Sequence, residues 1–209
     1  MSASLPALLK SAQLIPVIEF SHIDQVMPAL DILLEHQFNV IEVTLRHTCA
    51  LDALTLALKN YPQLTIGVGS ITSLAQLKSL VALNPAFVVS PGLLFNIFNE
   101  IKQCSLPYLP GVMTPSEIMQ GIDIGLHHFK FFPTEVAGGI QMLKSLAGPF
   151  KDVYFCPTGG VRLNNLRSYL DLPNVFCVGA SWFIAGQDLV EQNWSRIRVL
   201  TREARSVLL

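Results

Sequence analysis

Short runs rich in β-branched and aromatic residues recur along this 209-residue chain, and each is followed by a stretch of helical periodicity. No other feature restricts the fold so strongly. The runs cover residues 14–19, 40–45, 64–69, 86–90, 107–111, 128–132, 153–158 and 176–180. Helical patterns fill 22–36, 50–60, 73–83, 93–103, 115–124, 139–146, 164–170 and 188–207, with a further helix over 5–13. Strands alternating with helices pair in parallel through right-handed crossovers. Runs apolar on both faces, such as Ala86-Phe87-Val88-Val89, suit a sheet covered on both sides. The repeat interval of about 20–26 residues also lies in the leucine-rich-repeat range, but the chain lacks that consensus and its helices are too long and regular. An open doubly wound sheet often carries a GxGxxG turn, and Gly67-Val68-Gly69-Ser70 supplies only half of one. Eight units without a linker or composition break predict one domain over 1–209, a single (β/α)8 TIM barrel with an extra N-terminal helix.

Charged residues make up only 14% of the chain and hydrophobic ones 51%, which points to surface buried between subunits. The longest charge-free run, 79–99, is interrupted by Asn84-Pro85 and Ser90-Pro91-Gly92, so it reads as a helix end, a strand and a turn rather than a membrane span. Lys plus Arg total 14 against 15 Asp plus Glu, with no basic block, which argues against a nucleic-acid partner. Met1–Lys10 lacks the pattern of an export signal. Cys49, Cys104, Cys156 and Cys177 show no CxxC spacing and are expected to be reduced and mostly buried, in a cytoplasmic protein.

Function in a barrel sits where strands end, and a charge inside an apolar strand needs a partner or a task because its burial costs several kcal/mol. Glu19, Glu42, Arg46 and Lys130 are such charges. Lys10, Lys59, Lys78, Lys102, Lys144 and Lys151 fall on helical stretches or turns, whereas Lys130 lies within His128-Phe129-Lys130-Phe131-Phe132-Pro133. If Phe129 and Phe131 meet the helices, alternation turns Lys130 into the barrel. Desolvation there favours the uncharged amine, the form that attacks a ketone; the alternative is an ion pair with Glu42. Glu42, Thr44 and Arg46 share one face of their strand, about 6.6 Å apart in succession. Glu42 suits proton transfer, directly or through a water, and Arg46 suits a bidentate grip on a carboxylate. An intrastrand salt bridge between them competes with that reading. A charged Glu42 in contact with Lys130 opposes nucleophilic attack, so the chemistry predicts a water between them or a partly protonated Glu42. Pro157-Thr158-Gly159-Gly160 and Gly179-Ala180-Ser181 follow the seventh and eighth runs. Paired glycines also mark simple turns, but two such loops side by side present backbone N–H groups suited to phosphate.

These segments together resemble the bacterial 2-keto-3-deoxy-6-phosphogluconate (KDPG) and 2-keto-4-hydroxyglutarate (KHG) aldolases, from Ile15-Pro16-Val17-Ile18 to about Phe183. The resemblance is carried by 41–46, 67–70, 89–92, 109–112, 129–133, 156–160 and 179–182. It implies a Schiff-base lyase with catalytic Lys130 and Glu42, using neither cofactor nor metal. It implies that Arg46 and Ser70 hold the substrate carboxylate, that Pro91 and Phe132 form the wall, and that Gly159, Gly160, Ala180 and Ser181 bind phosphate. Thr158 matches the gluconate-type motif rather than the galactonate-type one. A small keto-acid phosphate as partner and a homotrimeric assembly are implied as well. Three residues depart from the family's pattern: Ala180 for a glycine, His47 for a smaller residue, and Glu19 for an uncharged one. His47 is expected to be a solvated loop residue and Glu19 to point outward to a helix. A 2-keto-3-deoxy-6-phosphogalactonate aldolase, a metal-dependent lyase, a phosphosugar isomerase and a catalytically silent phosphate-metabolite binding subunit are the rival readings.

Overall fold

In the computed structural model, which describes residues 5–209, strands and helices follow the alternation read from the sequence. The strands are β1 (Leu14–Ile18), β2 (Val40–Thr44), β3 (Thr65–Gly69), β4 (Phe87–Val89), β5 (Tyr108–Leu109), β6 (Gly111–Val112), β7 (His128–Phe131), β8 (Tyr154–Pro157) and β9 (Val178–Ala180). All their pairings are parallel. They form a six-stranded sheet in the order β5-β4-β3-β2-β1-β9 and a three-stranded sheet in the order β6-β7-β8. The run at 107–111, expected as one strand, is two, because Pro110 has no N–H to give to the ladder. Its carbonyl still accepts from Lys130 N–H at 2.9 Å. Between β8 and β9 the chain makes isolated bridges, Phe155 to Val175 and Thr158 to Gly179.

The helices are α1 (Leu5–Ala12), α2 (Val26–Glu35), α3 (Ala50–Asn60), α4 (Leu74–Val81), α5 (Phe95–Gln103), α6 (Pro115–Asp123), α7 (Gly139–Leu146), α8 (Leu163–Leu170), α9 (Gly186–Val190) and α10 (Trp194–Ser206). The stretch expected as one helix over 188–207 breaks at Gln192, whose φ of 52° no right-handed helix accommodates. Asn193 then starts α10 by accepting the N–H of Arg196 on its side chain. The helix expected from residue 22 begins as a short 3-10 turn, Ile23–Gln25, because the Gln25 side chain accepts the N–H groups of Ser21 and His22. No helix among the described residues is long and apolar enough to cross a membrane. The charge-free run resolves into the end of α4, β4 and the start of α5. The export-signal reading of Met1–Lys10 falls partly on residues 1–4, outside the described residues.

Strand alternation divides the buried side chains between two clusters. Ile18, Val43, Val88, Phe129, Phe131, Phe155 and Val178 pack with the helices. Ile15, Val40, Phe87, Val89, Leu109, Cys156, Phe176 and Cys177 pack on the other face, and Leu9 of α1 joins them with Leu5, Leu8 and Ala12 alongside. The extra helix therefore covers one end of that second face, where complete burial of Leu9 contributes about 1.5–3 kcal/mol. At the opposite end the same face carries Glu42 and Lys130 in place of apolar groups, and there the sheet opens into a cleft.

Candidate active site

Lys130 lies on β7 between Phe129 and Phe131, both fully buried against the helices, so its side chain leaves by the other face as alternation requires. It is 4% exposed. Its ammonium nitrogen meets the Oε1 of Glu42 at 3.2 Å and Oε2 at 3.5 Å, and lies 5.5 Å from the ring centre of Phe132. Glu42, equally buried, comes from β2 in the other sheet, so the contact joins residues 88 apart in sequence. Of the two arrangements open to the sequence, direct pairing is the one present, rather than separation through a water.

Gly69 makes that contact possible. It sits on β3 opposite Thr44, and a Cβ added to it would fall 1.8 Å from Glu42 Oε1. The sequence reading missed this residue. The signal was present in the Gly67-Val68-Gly69 alternation, because a glycine within a strand often marks a place where another group comes close. Cys156, paired in register with Lys130, and Cys177 lie on the same face. Burial pushes the Cys177 thiol well above its ordinary range, and Cys156 and the Glu42 carboxylate add to this. All four cysteines are free thiols; Cys156 and Cys177 are buried, Cys49 and Cys104 half-buried.

Two residues beyond the pair, at Thr44 and Phe132, begins the lining of a cleft of about 280 Å³ that does not itself include Lys130 or Glu42. On one side Arg46, just past β2, donates from Nε to Ser70 Oγ at 2.8 Å and approaches Glu19 Oε2 with a terminal nitrogen at 3.6 Å. It does not pair with Glu42, which disposes of the intrastrand bridge. Opposite it stand Thr158, Gly159 and Gly160 after β8, and Ala180 and Ser181 at the end of β9, with Phe132 forming a wall. Gly159 and Gly160 have φ of 94° and 88°, the left-handed region that favours glycine. Thr158 N–H is already engaged by the Thr134 hydroxyl and the Phe131 carbonyl, so Thr158 helps fix the loop. The Glu135 side chain packs behind Gly160, where a Cβ would come within 2.3 Å of its Cγ, and it accepts from Tyr169 Oη and Asn165 Nδ2. Nothing local in the sequence marks that bracket, since its members lie about thirty residues apart.

One expectation needs correction. Glu19 does not point outward to a helix; it lines the cleft beside Arg46. Ile15, Val17 and Glu19 alternate on one face and Val17 pairs with Glu42 in register, so the parity of β1 carries Glu19 inward. Pro91, like Ser70, Lys130 and Glu42, lies outside that cleft lining; its carbonyl lies against Gly111, where a Cβ would come within 2.1 Å. His47 is exposed, beside Cys49 and His22 and outside the cleft lining, which agrees with a solvated loop residue. Ala180 is 4% exposed and lies in the cleft lining. Among the described residues, no three His, Cys, Asp or Glu side chains gather into a metal-binding set.

The sequence matches the model of the family described as KDPG and KHG aldolase over residues 5–200. It is 38% identical to the KHG/KDPG aldolase of Escherichia coli strain K12 over 201 residues, 96% of this chain and 94% of that one. The structure superposes with a TM-score of 0.91 on a KDPG aldolase from Legionella pneumophila solved with pyruvate captured as a covalent carbinolamine intermediate. That protein is 38% identical, with 95% of this chain and 97% of the other covered. A second superposition, TM-score 0.87 at 36% identity over 95% and 93% of the two chains, is with the 2-keto-3-deoxy-6-phosphogluconate aldolase of Zymomonas mobilis ZM4 bearing 3-phosphoglycerate. With a match across nearly its whole length, the chain belongs to the KDPG and KHG aldolase family.

Proposed function

We propose that the protein is a Schiff-base aldolase that cleaves 2-keto-3-deoxy-6-phosphogluconate to pyruvate and glyceraldehyde 3-phosphate, and that it also acts on 4-hydroxy-2-ketoglutarate. The observation that carries this reading is the buried Lys130–Glu42 contact, two residues along β7 and β2 from Phe132 and Thr44, which line a cleft that also holds an arginine and a glycine loop. In a poorly solvated site, transfer of a proton from Lys130 to Glu42 replaces two buried charges by two neutral groups, so the contact itself supplies the amine. The amine adds to the C2 carbonyl, and the protonated Glu42 gives its proton to the departing carbinolamine hydroxyl, so that loss of water leaves an iminium and a Glu42 carboxylate. The cationic nitrogen takes the electron pair of the C3–C4 bond as it breaks. Glu42 takes the C4 hydroxyl proton, releasing the aldehyde, and returns a proton to C3 of the enamine; water then hydrolyses the iminium to pyruvate and free Lys130.

Arg46, steadied by Ser70, is the group for the substrate carboxylate. The backbone N–H groups about Gly159, Gly160, Ala180 and Ser181 are suited to phosphate, and Thr158 favours the gluconate epimer. We read the two parallel sheets as parts of one (β/α)8 barrel in a single domain, a reading supported by the resumption of the fifth strand after Pro110 and by the bridges at Phe155 and Thr158. Exposed Leu94, Met113 and Val136 on the loops after β4, β6 and β7, with exposed Phe95 at the start of α5 and the low charge, support burial in a homotrimer. Free thiols throughout agree with a cytoplasmic setting. Borohydride added with pyruvate should leave a reduced adduct on Lys130 in peptide mass mapping. Unchanged pyruvate release by Lys130→Met would remove the proposal.

A further inference from the structure

Among the residues lining the cleft, Arg46 is the only cation and Glu19 the only carboxylate. Their contact, at 3.6 Å, is longer than the 2.7–2.9 Å of a charge-assisted hydrogen bond. Both side chains are nearly half exposed, at 46% and 45%, and a pair of that kind adds little to stability. The consequence of placing a carboxylate here is therefore electrostatic. Its position follows from the strands: β1 lies between β2, which leads to Arg46, and β9, which ends at Ala180 and Ser181. Val17 is level with Glu42 on one side, and Pro16 is level with Ala180 on the other. Glu19, two residues past Val17, thus stands between the arginine and the amide cradle. The Lys130–Glu42 pair below sums to no charge, and with Glu19 present the lining sums to none either. A doubly charged phosphate has only backbone dipoles to attract it and one carboxylate to repel it.

We propose that Glu19 sets selectivity for the far end of the substrate: its carboxylate weakens binding of a phosphate dianion and widens the site to 2-keto acids whose distal group carries less charge. This rests on the aldolase reading above, and it assigns Glu19 a role in specificity rather than in bond cleavage. The neutral isostere Glu19→Gln keeps the size of the side chain and its ability to accept from Arg46. Steady-state pyruvate release is measured with 2-keto-3-deoxy-6-phosphogluconate and with its dephosphorylated counterpart. The ratio of kcat/KM values, phosphorylated over unphosphorylated, should rise about 3- to 10-fold in the variant, the factor expected for one unit charge acting across a half-solvated cleft. The change should lie mainly in KM and shrink in 0.5 M salt. An unchanged ratio, or an equal loss on both substrates from a loosened Arg46, overturns the proposal. A readout independent of catalysis is calorimetric titration with inorganic phosphate, which the variant should bind more tightly by a similar factor; equal affinity overturns the inference even where turnover is absent. Failure of the wild-type protein to release pyruvate or to form a borohydride adduct counts against the aldolase reading alone.

Discussion

Replacing Gly69 by alanine tests whether the Lys130–Glu42 contact is the working part of the site. The added methyl would sit 1.8 Å from Glu42 Oε1, 2.5 Å from Cδ and 2.8 Å from Cγ. Ordinary van der Waals contact begins near 3.4 Å, so the carboxylate oxygen must retreat by at least about 1.6 Å. The present hydrogen bond is already 3.2 Å, and a displacement of that size away from Lys130 breaks it. An unpartnered buried charge costs about 3–5 kcal/mol. For a chain of this length, that corresponds to a melting temperature lower by about 6–20 °C. Loss of the positioned acid–base group should lower kcat about 10²- to 10⁴-fold. Gly67→Ala is the control. Its methyl would strike the Phe87 ring at 2.1 Å, so it strains the core without touching the pair. Both variants should melt earlier, but only Gly69→Ala should lose far more turnover than its remaining folded fraction explains, as measured by pyruvate release at a temperature where both are folded. Wild-type kcat in folded Gly69→Ala would refute the reasoning, because it would mean that Glu42 does its work from another position.

Glu42→Gln should lower kcat about 10²- to 10⁴-fold while Lys130 still yields some borohydride adduct with pyruvate, since imine formation needs the amine more than the carboxylate; mass mapping and steady-state assay separate the two steps. Gly160→Ala combines a φ of 88° with a Cβ 2.3 Å from the Glu135 side chain. It should raise KM for the phosphorylated substrate at least about 10-fold, by shifting the loop amides, and leave the unphosphorylated one nearly untouched. At α6, partial burial pushes the Glu117 carboxyl up, but the N–H groups of Met113 and Thr114 and the Thr114 hydroxyl outweigh that and hold it below its ordinary value of 4.5. Its contribution to stability is therefore complete above about pH 4.5 and is lost as pH falls through the lower folded-state value. Glu117→Gln should flatten that acid limb in melting curves, and Thr114→Ala, which removes the cap, should cost about 1 kcal/mol at neutral pH.

Much of the molecule was legible in the residues alone. The order of strands and helices followed from periodicity, because each segment must bury one stripe or both faces whatever its neighbours are. The inward turn of Lys130 followed from Phe129 and Phe131, since alternation is a local property of extended backbone. The glycine loop after β8 was visible because Gly159 and Gly160 hold positive φ that other residues rarely adopt. What the residues alone left open depended on distance in sequence. Lys130 and Glu42, 88 positions apart, could be paired directly or through water, and only the packing of one sheet against the other brought them to 3.2 Å. Arg46 could have bridged to Glu42, and the strand order instead placed it against Glu19 and Ser70. Glu19 at a strand end has solvent available on either side, and the register of β1 with β2 decided its direction. The need for glycine at 69 arises wholly from the Glu42 carboxylate beside it. Local chemistry determined the elements and the inward lysine; the long-range register decided which charges touch, because short-range rules do not encode the distance between strands far apart in the chain.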